Sequence, residues 1–495
     1  MQNVISVENM RKSDKYTIDN ITPSLVLMER AGKAVFSSVK WSGKAAIICG
    51  TGNNGGDGYV LALEMAKNNL DCEIILVKDK FSPDGKYYFS KCKELNIPYI
   101  IYNESIDLNK YDFIVDCIFG TGFKGDVNGI EKEIIEKINS SNAYTVSVDI
   151  NSGLNGDNGL TSLCVISDLT VSIGTLKAGH ILNMAKDKIG KLINKDIGIT
   201  VIDKSYSLLE NDDIKSIIKI RKSYSHKGTY GYVSLIGGSI EYSGAIKLAN
   251  ISSSAVRSGA GVVRLCVPNS ITNGVLPYIL ESTLYPLSDK NGSIAFNQEE
   301  LDILINSSKV IAIGMGLGTK GENEKILTYL INNYKGILII DADGLNTLAK
   351  MDLDLKNLSC KIVLTPHPKE FERLSKIPMS QVNENPIKYS MDYAKNNNVI
   401  LLLKGTATIV TDGENTYLIN TGCPGMATGG SGDVLSGILS GICASNDASL
   451  IENVAAGAYI NGIAGEIAKD KSNDISMSAY DTASSVKEAI TKIIK

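Results

Sequence analysis

Twice along this chain, short apolar segments of strand length alternate with longer segments whose apolar residues recur at helical spacing. The first series runs 45–50 (AAIICG), 72–77 (CEIILV), 113–118 (FIVDCI), 144–150 (YTVSVDI), 169–173 (LTVSI) and 197–202 (IGITVI). Between the first two, Leu61, Ala62, Met65 and Ala66 mark a helix over 57–69. Strands this apolar must be covered on both faces, so the pattern predicts a mostly parallel sheet between layers of helices. The stretch 204–229 is polar and breaks the rhythm, which sets a boundary near residue 212. A second series follows at 231–237, 262–267, 310–314, 337–341, 361–364 and 399–403. A hairpin is expected at 408–420, turning on "DGEN", and helices over 433–445, 450–468 and 478–494. With 495 residues, two domains, 1–212 and 213–495, are the expected division.

Composition removes several function classes. The net charge of −4 and the lack of a basic block give a nucleic-acid partner no electrostatic support. Nine cysteines are scattered singly without a C-x-x-C, and Cys49, Cys117 and Cys266 sit in apolar runs as small hydrophobes. That pattern suits a reducing compartment. The N-terminus has no apolar signal region, and no apolar run approaches the ~18 residues of a membrane helix. A cytoplasmic protein without a membrane partner is expected. Three histidines and no paired cysteines make a poor zinc site.

Glycine loops carry the chemistry. In "CGTGNNGGDGYV" (49–60), Gly50, Gly52 and Gly55 fit G-x-G-x-x-G at a strand end. In a dinucleotide-cofactor fold, the following helix N-terminus receives the pyrophosphate. Here Asp57 stands there, as an N-cap or as a carboxylate that repels phosphate, which weakens a hydride-carrier reading. Asp79 is placed for the ribose contact that such a reading would need. A second loop, "DCIFGTGFKGD" (116–126), repeats the spacing at Gly120, Gly122 and Gly125, with Lys124 inside it. Backbone N–H groups and one cation can cradle a pyrophosphate. A third strand ends in "VDINSGL" (148–154), offering Asp149 and Ser152. In the second half, "MATGGSGDVLSGIL" (426–439) sets Gly429, Gly430 and Gly432 before a helix expected to start at Asp433. Free N–H groups there can stabilise charge on a transferred phosphoryl group, while Asp433 takes a proton from the attacking hydroxyl. A helix cap alone would need neither the three glycines nor the loop.

Together with "LMERAG" (27–32), the first-half loops resemble the NAD(P)H-hydrate epimerase domain over about residues 1–210. The resemblance implies a Rossmann-like three-layer sandwich acting on a nicotinamide dinucleotide hydrated at C6. By position it assigns substrate contacts to Asn53, Asn54, Gly55, Gly56 and Asp57, to Gly120, Thr121, Gly122, Phe123, Lys124, Gly125 and Asp126, and to Asp149, which is also catalytic. Asn54, Asp116 and Ser152 would bind K⁺, as oxygen ligands suit a hard cation. Lys177 in "TLKAGH" also matches a family position. Asn151 stands where the family usually has Pro, which predicts a less rigid loop.

The motifs "IGGSIEYSGA" (236–245), "GMGLG" (314–318), "TPHPKEFERL" (365–374) and "KGTATIV" (404–410), with the 426–439 loop, resemble NAD(P)H-hydrate dehydratase in a ribokinase-like α/β fold over about 213–495. That resemblance implies dinucleotide contacts from Ala245, Gly316, His367 and Asp433, with Asp433 catalytic. Lys404, Gly405, Thr406, Ala407, Thr408, Gly429, Gly430, Ser431 and Gly432 would hold the adenine nucleotide. The whole chain then reads as a bifunctional repair enzyme of symmetric homo-oligomers. It epimerises the R and S hydrates of NADH and NADPH and dehydrates the S form. ADP is consumed with Mg²⁺, giving AMP and phosphate. Three rivals remain open on the residues alone: a small-alcohol kinase fused to a dinucleotide sensor, a non-enzymatic NAD-binding regulator, and an NAD-dependent oxidoreductase.

Overall fold

The computed structural model describes residues 1–253, 257–351 and 353–495. The chain divides into two compact units, Gln2–Tyr206 and Ser207–Lys495, the latter together with Met1. The polar stretch 204–229 is not a plain linker. Asn211–Ile217 is a helix whose Ile214 is fully buried in the core of the second unit, so residue 212 falls inside an element and the division comes earlier.

The first unit is built on seven parallel strands. Their order across the sheet is Tyr99–Ile101, Cys72–Leu76, Ala45–Cys49, Phe113–Cys117, Tyr144–Val148, Ser167–Ile173 and Ile189–Lys195. Winding therefore reverses between Ala45–Cys49 and Phe113–Cys117, and open parallel sheets bind ligands outside the strand ends at such a reversal. Side chains alternate between two cores. Ile47 and Cys49 pack with Leu27, Val35 and Leu61, whereas Ala46 and Ile48 pack with Ile134, Ile135 and Ile138. Helices Ser24–Ser38 and Asn53–Lys67 supply the first face and Gly129–Asn139 the second, which makes the expected three layers.

Two local expectations fail in this unit. Residues 197–202 do not form a strand; the last strand is Ile189–Lys195, an edge strand whose exposed polar positions conceal it from an apolar search. The first helix after the glycine loop starts at Asn53 with Gly52 as its N-cap, so Asp57 lies a full turn inside it.

The second unit repeats the winding. Thr283–Leu287, Val262–Pro268, Tyr232–Ile236, Val310–Ile313, Ile337–Ile340, Lys361–Leu364 and Ile400–Leu403 run parallel in that order. Thr408–Thr411 and Thr416–Ile419 then add an antiparallel hairpin. It turns at 412–415, where Asp412 Oδ1 accepts from the amides of Glu414 and Asn415 at 2.9 and 2.7 Å. Thr283–Leu287 has no sequence signal because Pro286 argues against a strand; at a sheet edge its missing N–H is tolerated. Helices Ser243–Ser253, Ser431–Ser445, Leu450–Lys471 and Ala479–Ile494 share one apolar core with the sheet. All nine cysteines are free thiols. No helix among the described residues is long and apolar enough to cross a membrane.

Candidate functional site

In the first unit, the loops leaving Ala45–Cys49 and Phe113–Cys117 meet at the reversal and border a cleft of about 710 Å³. Asn53, Asn54, Asp57, the 120–124 loop and Asp149 line it. Gly55 and Gly56 do not. A Cβ on Gly55 would lie 2.3 Å from the Gly50 carbonyl oxygen, and one on Gly56 2.5 Å from the Met28 side chain. Gly50 is pressed in the same way against the Ile118 carbonyl, at 2.0 Å. These glycines let strand end, helix and neighbouring loop touch, which is a packing role. Gly125 and Asp126 also fall outside the lining, and Asp126 Oδ1 accepts from the Ser162 hydroxyl at 2.7 Å. Asp79 is absent from the lining as well.

Asp149 follows its strand with φ of 65°, a left-handed conformation that Asp and Asn tolerate better than other side chains. Its Oδ1 accepts from Lys177 Nζ at 2.5 Å, and its Oδ2 lies 3.4 Å from the Thr121 amide. Lys177 is wholly buried, donates also to the Ile173 carbonyl at 2.8 Å, and does not line the cleft. It backs Asp149 rather than facing a ligand. Burial opposes ionisation of Asp149, but the Lys177 charge and hydrogen bond hold its carboxyl below the usual range. His180 Nδ1 accepts from the Lys177 amide at 3.1 Å, leaving its proton on Nε2, 2.8 Å from the Asp149 carbonyl. Burial, with the Lys177 charge, lowers the His180 pKa to about 4, so the ring is a neutral brace. Asp57 behaves oppositely to Asp149: burial, with Asp149 and Asp14 nearby, pushes its pKa well up.

The three proposed cation ligands come together. Ser152 Oγ donates to Asp116 Oδ1 at 2.5 Å and accepts from the Phe119 amide at 2.8 Å. Asn54 Nδ2 donates to the Phe119 carbonyl at 3.0 Å, while Asn54 Oδ1 is buried without a hydrogen-bond partner. Asp116 is fully buried and also accepts from Ser147 Oγ and the Ser152 amide at 2.9 and 2.8 Å. The Ile118 amide donates to its Oδ1 at 3.2 Å, and burial raises its pKa against these four bonds. An orphaned amide oxygen beside a hydroxyl, a carbonyl and one carboxylate is a donor set that fits a hard monovalent cation. Asn151, in place of Pro, does not loosen this loop. Its Nδ2 donates to Val165 O, Ser167 Oγ and Lys188 O at 2.9, 3.0 and 2.9 Å, and its Oδ1 accepts from Thr170 Oγ1 at 2.5 Å. Side-chain bonds replace the ring's restriction.

In the second unit, the helix Ser431–Ser445 begins two residues before Asp433, with Gly430 as N-cap at φ of 92°. Only glycine takes that conformation without strain, and in the first turn the Ser431 amide donates to the Thr428 carbonyl at 3.4 Å while the following N–H groups have no intrahelical partner. Ser431 Oγ in the first turn is buried with no partner. Beside this terminus lies a network that the sequence did not reveal. Asp341, 1% exposed, receives Lys404 Nζ at 3.0 Å and Ser436 Oγ at 2.7 Å. Glu370 Oε2 stands 3.9 Å from the same lysine. A Cβ on Gly432 would come within 3.3 Å of Lys404 Nζ, so Gly432 leaves the lysine room. Burial works against the Lys404 charge, but Asp341 and Glu370 raise its pKa. Asp433 is pushed up to about 7 by burial, then by Asp341, with Lys404 opposing.

Gly316, at φ of 68°, and Ala245 lie together at the strand reversal: a Cβ on Gly316 would be 3.0 Å from that of Ala245. Thr408 opens the hairpin strand, with Gly405, Thr406 and Ala407 leading into it from Lys404. His367 takes a partly structural place. Its Nδ1 caps the helix Pro368–Ser375, accepting from the amides of Lys369 and Glu370 at 3.1 and 3.3 Å, and Glu370 Oε2 returns the bond to the His367 amide. Burial and the Lys404 charge lower its pKa, leaving a neutral ring whose Nε2 carries the proton.

Comparison with known proteins fits this division. Residues 233–489 match the NAD(P)H-hydrate dehydratase family, and residues 24–179 match the YjeF-related protein N-terminus. The bifunctional NAD(P)H-hydrate repair enzyme of Moorella thermoacetica is 33% identical, over 93% of this chain and 91% of its own. A ribokinase-like superfamily protein from Enterococcus faecalis superposes with a TM-score of 0.50 at 26% identity, covering 58% of this chain and 96% of its own. An ADP/ATP-dependent NAD(P)H-hydrate dehydratase from Bacillus subtilis shares the fold, with a TM-score of 0.51 at 23% identity over 58% of this chain and 99% of its own. The chain belongs to the family of bifunctional NAD(P)H-hydrate repair enzymes.

Proposed function

We propose that the first unit interconverts the R and S forms of C6-hydrated NADH and NADPH, and that the second dehydrates the S form using ADP. In the second unit, Asp433 takes the proton of the C6 hydroxyl as its oxygen attacks the β-phosphoryl group of ADP, and AMP leaves. Phosphate then departs from C6 while a proton leaves C5, which restores the ring double bond. Hydroxide is a poor leaving group at neutral pH and phosphate a good one, and this gives a kinase-like fold a reason to catalyse a dehydration. The N–H groups that follow Ser431 in the helix's first turn and the charge of Lys404 would stabilise the transferred group. The observation that carries the reading is Asp433: a carboxyl held near pKa 7 at a glycine-built helix terminus, beside the partly buried Lys404.

Mg²⁺ would neutralise charge on the nucleotide phosphates. Among the described residues no three histidine, cysteine, aspartate or glutamate side chains are grouped to hold a metal ion, and an Mg²⁺ here would be held chiefly by phosphates and water. In the first unit Asn54, Asp116 and Ser152 would hold K⁺, which would supply a fixed positive charge beside the cleft. Asp149, kept ionised by Lys177, exchanges protons at the C6 oxygen. We further infer a cytoplasmic homo-oligomer without nucleic-acid or membrane partners. The test of the function is direct. Mixing the protein with hydrated NADH, ADP and Mg²⁺ should restore the reduced-nicotinamide absorbance band and release AMP and phosphate in equal amounts. A phosphorylated dinucleotide that accumulates without that band would make the protein a kinase instead.

A further inference from the structure

Asp149 is one carboxylate on one wall of the first unit's cleft, and inversion at C6 asks for more. If the C6–O bond breaks, the departing oxygen needs a proton as N1 supplies the electron pair of a C6=N1 double bond. The water that then adds to the other face of C6 must give a proton up. One fixed group cannot serve both positions.

The helix Val7–Asn20 forms another wall of the same cleft. Met10, Asp14 and Ile18, spaced four apart, present one face to it, with Arg11 beside them. The helix is anchored from behind. Ser13 Oγ donates to Asn9 Oδ1 at 3.0 Å, and Ser13 Oγ and Thr17 Oγ1 accept from the amides of Ile202 and Thr200 at 3.3 and 3.0 Å. Its cleft face is thus fixed in rotation. Asp14 is flanked along that face by the apolar Met10 and Ile18 and only partly exposed. The charged and titratable groups that share the cleft are Arg11 on the same helix, Asp57 and Asp84 on two others, Lys124 on the 120–124 loop, and Asp149 backed by Lys177.

Resting on the epimerase reading of this cleft, we propose that Asp14 is a second proton-transfer group of the epimerisation, acting on the C6 oxygen from the helix wall while Asp149 acts from the strand ends. In one direction, the Asp14 carboxyl protonates the departing hydroxyl, the C6–O bond breaks and water forms. Water then adds to the other face of C6 and gives its proton to Asp149. The reverse direction exchanges the roles, and solvent returns the proton between turnovers, so atoms and charge balance.

Asp14 is the group suited to cycling. Lys177 keeps Asp149 ionised and burial pushes the Asp57 pKa well up, whereas burial raises Asp14 to about 6, with Lys177 and Asp149 as the opposing and assisting charges. A group that gives and regains a proton works best with a pKa near the working pH. The pair is active with one proton between them, so activity declines as pH rises through the Asp14 pKa.

The test starts from the R hydrate without ADP, on the full chain, and follows the approach to the R/S equilibrium by chromatography after subtracting the spontaneous rate. Asp14→Asn should lower kcat by about 10²-fold or more with KM little changed. It should also lose the kcat/KM decline expected of the unmutated chain above about pH 6. Asp14→Glu keeps a carboxyl and should restore most of the rate together with the decline. Asp149→Asn, run in parallel, separates the two levels of the argument. If Asp149→Asn is slow while Asp14→Asn runs at the unmutated rate, or keeps the same pH decline, the role of Asp14 is overturned and the cleft reading stands. If Asp149→Asn itself runs at the unmutated rate, the epimerase reading of the cleft fails.

Discussion

Replacing Lys177 by Met keeps the length of the side chain and removes one charge from the first unit's interior. Lys177 is fully buried and Asp149 is 16% exposed, so the ion pair they form is shielded from water. Removing one partner of a buried pair costs about 3–5 kcal/mol, because the other charge stays buried and uncompensated. Asp149 Oδ1 loses its Lys177 donor, and the Ile173 carbonyl keeps only the Thr175 amide. The sign of the pH dependence follows from the pKa shift. In the unmutated chain the Asp149 pKa is depressed on folding, so its contribution is present above the unfolded value and lost as pH falls through the folded one. In Lys177→Met, burial is opposed only by His180 and the Thr121 amide, and the folded pKa should rise above the unfolded value of about 3.9. The contribution of Asp149 is then present in acid and lost as pH rises. The stability gap between the two proteins should therefore be widest near neutrality and narrow below pH 5. Trp41, the only tryptophan, lies in this unit with its ring 5.1 Å from that of Phe113, so its fluorescence reports the unit's unfolding in urea. Adding Asp149→Asn, which tolerates the positive φ, should recover much of the loss. A cost below about 1 kcal/mol, the value of an exposed pair, with no pH-dependent gap would refute the reasoning.

Gly55→Ala would set a Cβ 2.3 Å from a backbone oxygen, and overpacking of this kind should cost about 1–3 kcal/mol in the same Trp41 transition. An unchanged urea midpoint would show that the loop is not close-packed. Dehydration should rise with pH through about 7 as Asp433 loses its proton to become a base, and a limb near 4 instead would place the base elsewhere. His367→Asn keeps a good helix cap, so stability should hold while KM for the hydrated dinucleotide rises; an unchanged KM would leave His367 with the cap alone.

The strand series of both units was legible because buried parallel strands are apolar throughout, as in Ala45–Cys49 and Val310–Ile313. The glycine loops were legible because few other residues allow such approaches as Gly55 to Gly50. What escaped was set by tertiary contact. Ile189–Lys195 is a polar edge strand, and the segment 197–202 has the apolar composition of a strand without forming one. Asn53–Gly56 reads as a loop but already turns as helix. Asp341, Glu370 and Ser436 lie far apart in sequence and gain meaning only around Lys404. Asp14 sits in a polar helix, where nothing but packing distinguishes it from its solvated neighbours.

The division of labour between the units is tested most directly by two single substitutions and one R/S mixture of hydrated NADH, supplied with ADP and Mg²⁺. Asp433→Asn keeps volume and removes the base, so dehydration should fall by about 10²–10⁴-fold while epimerisation continues. Asp149→Asn should consume the S form quickly and then stall, with the R form declining only at the spontaneous rate. If Asp149→Asn consumes both forms at the unmutated rate, or Asp433→Asn regenerates NADH at full rate, the account of two sites with separate duties is contradicted.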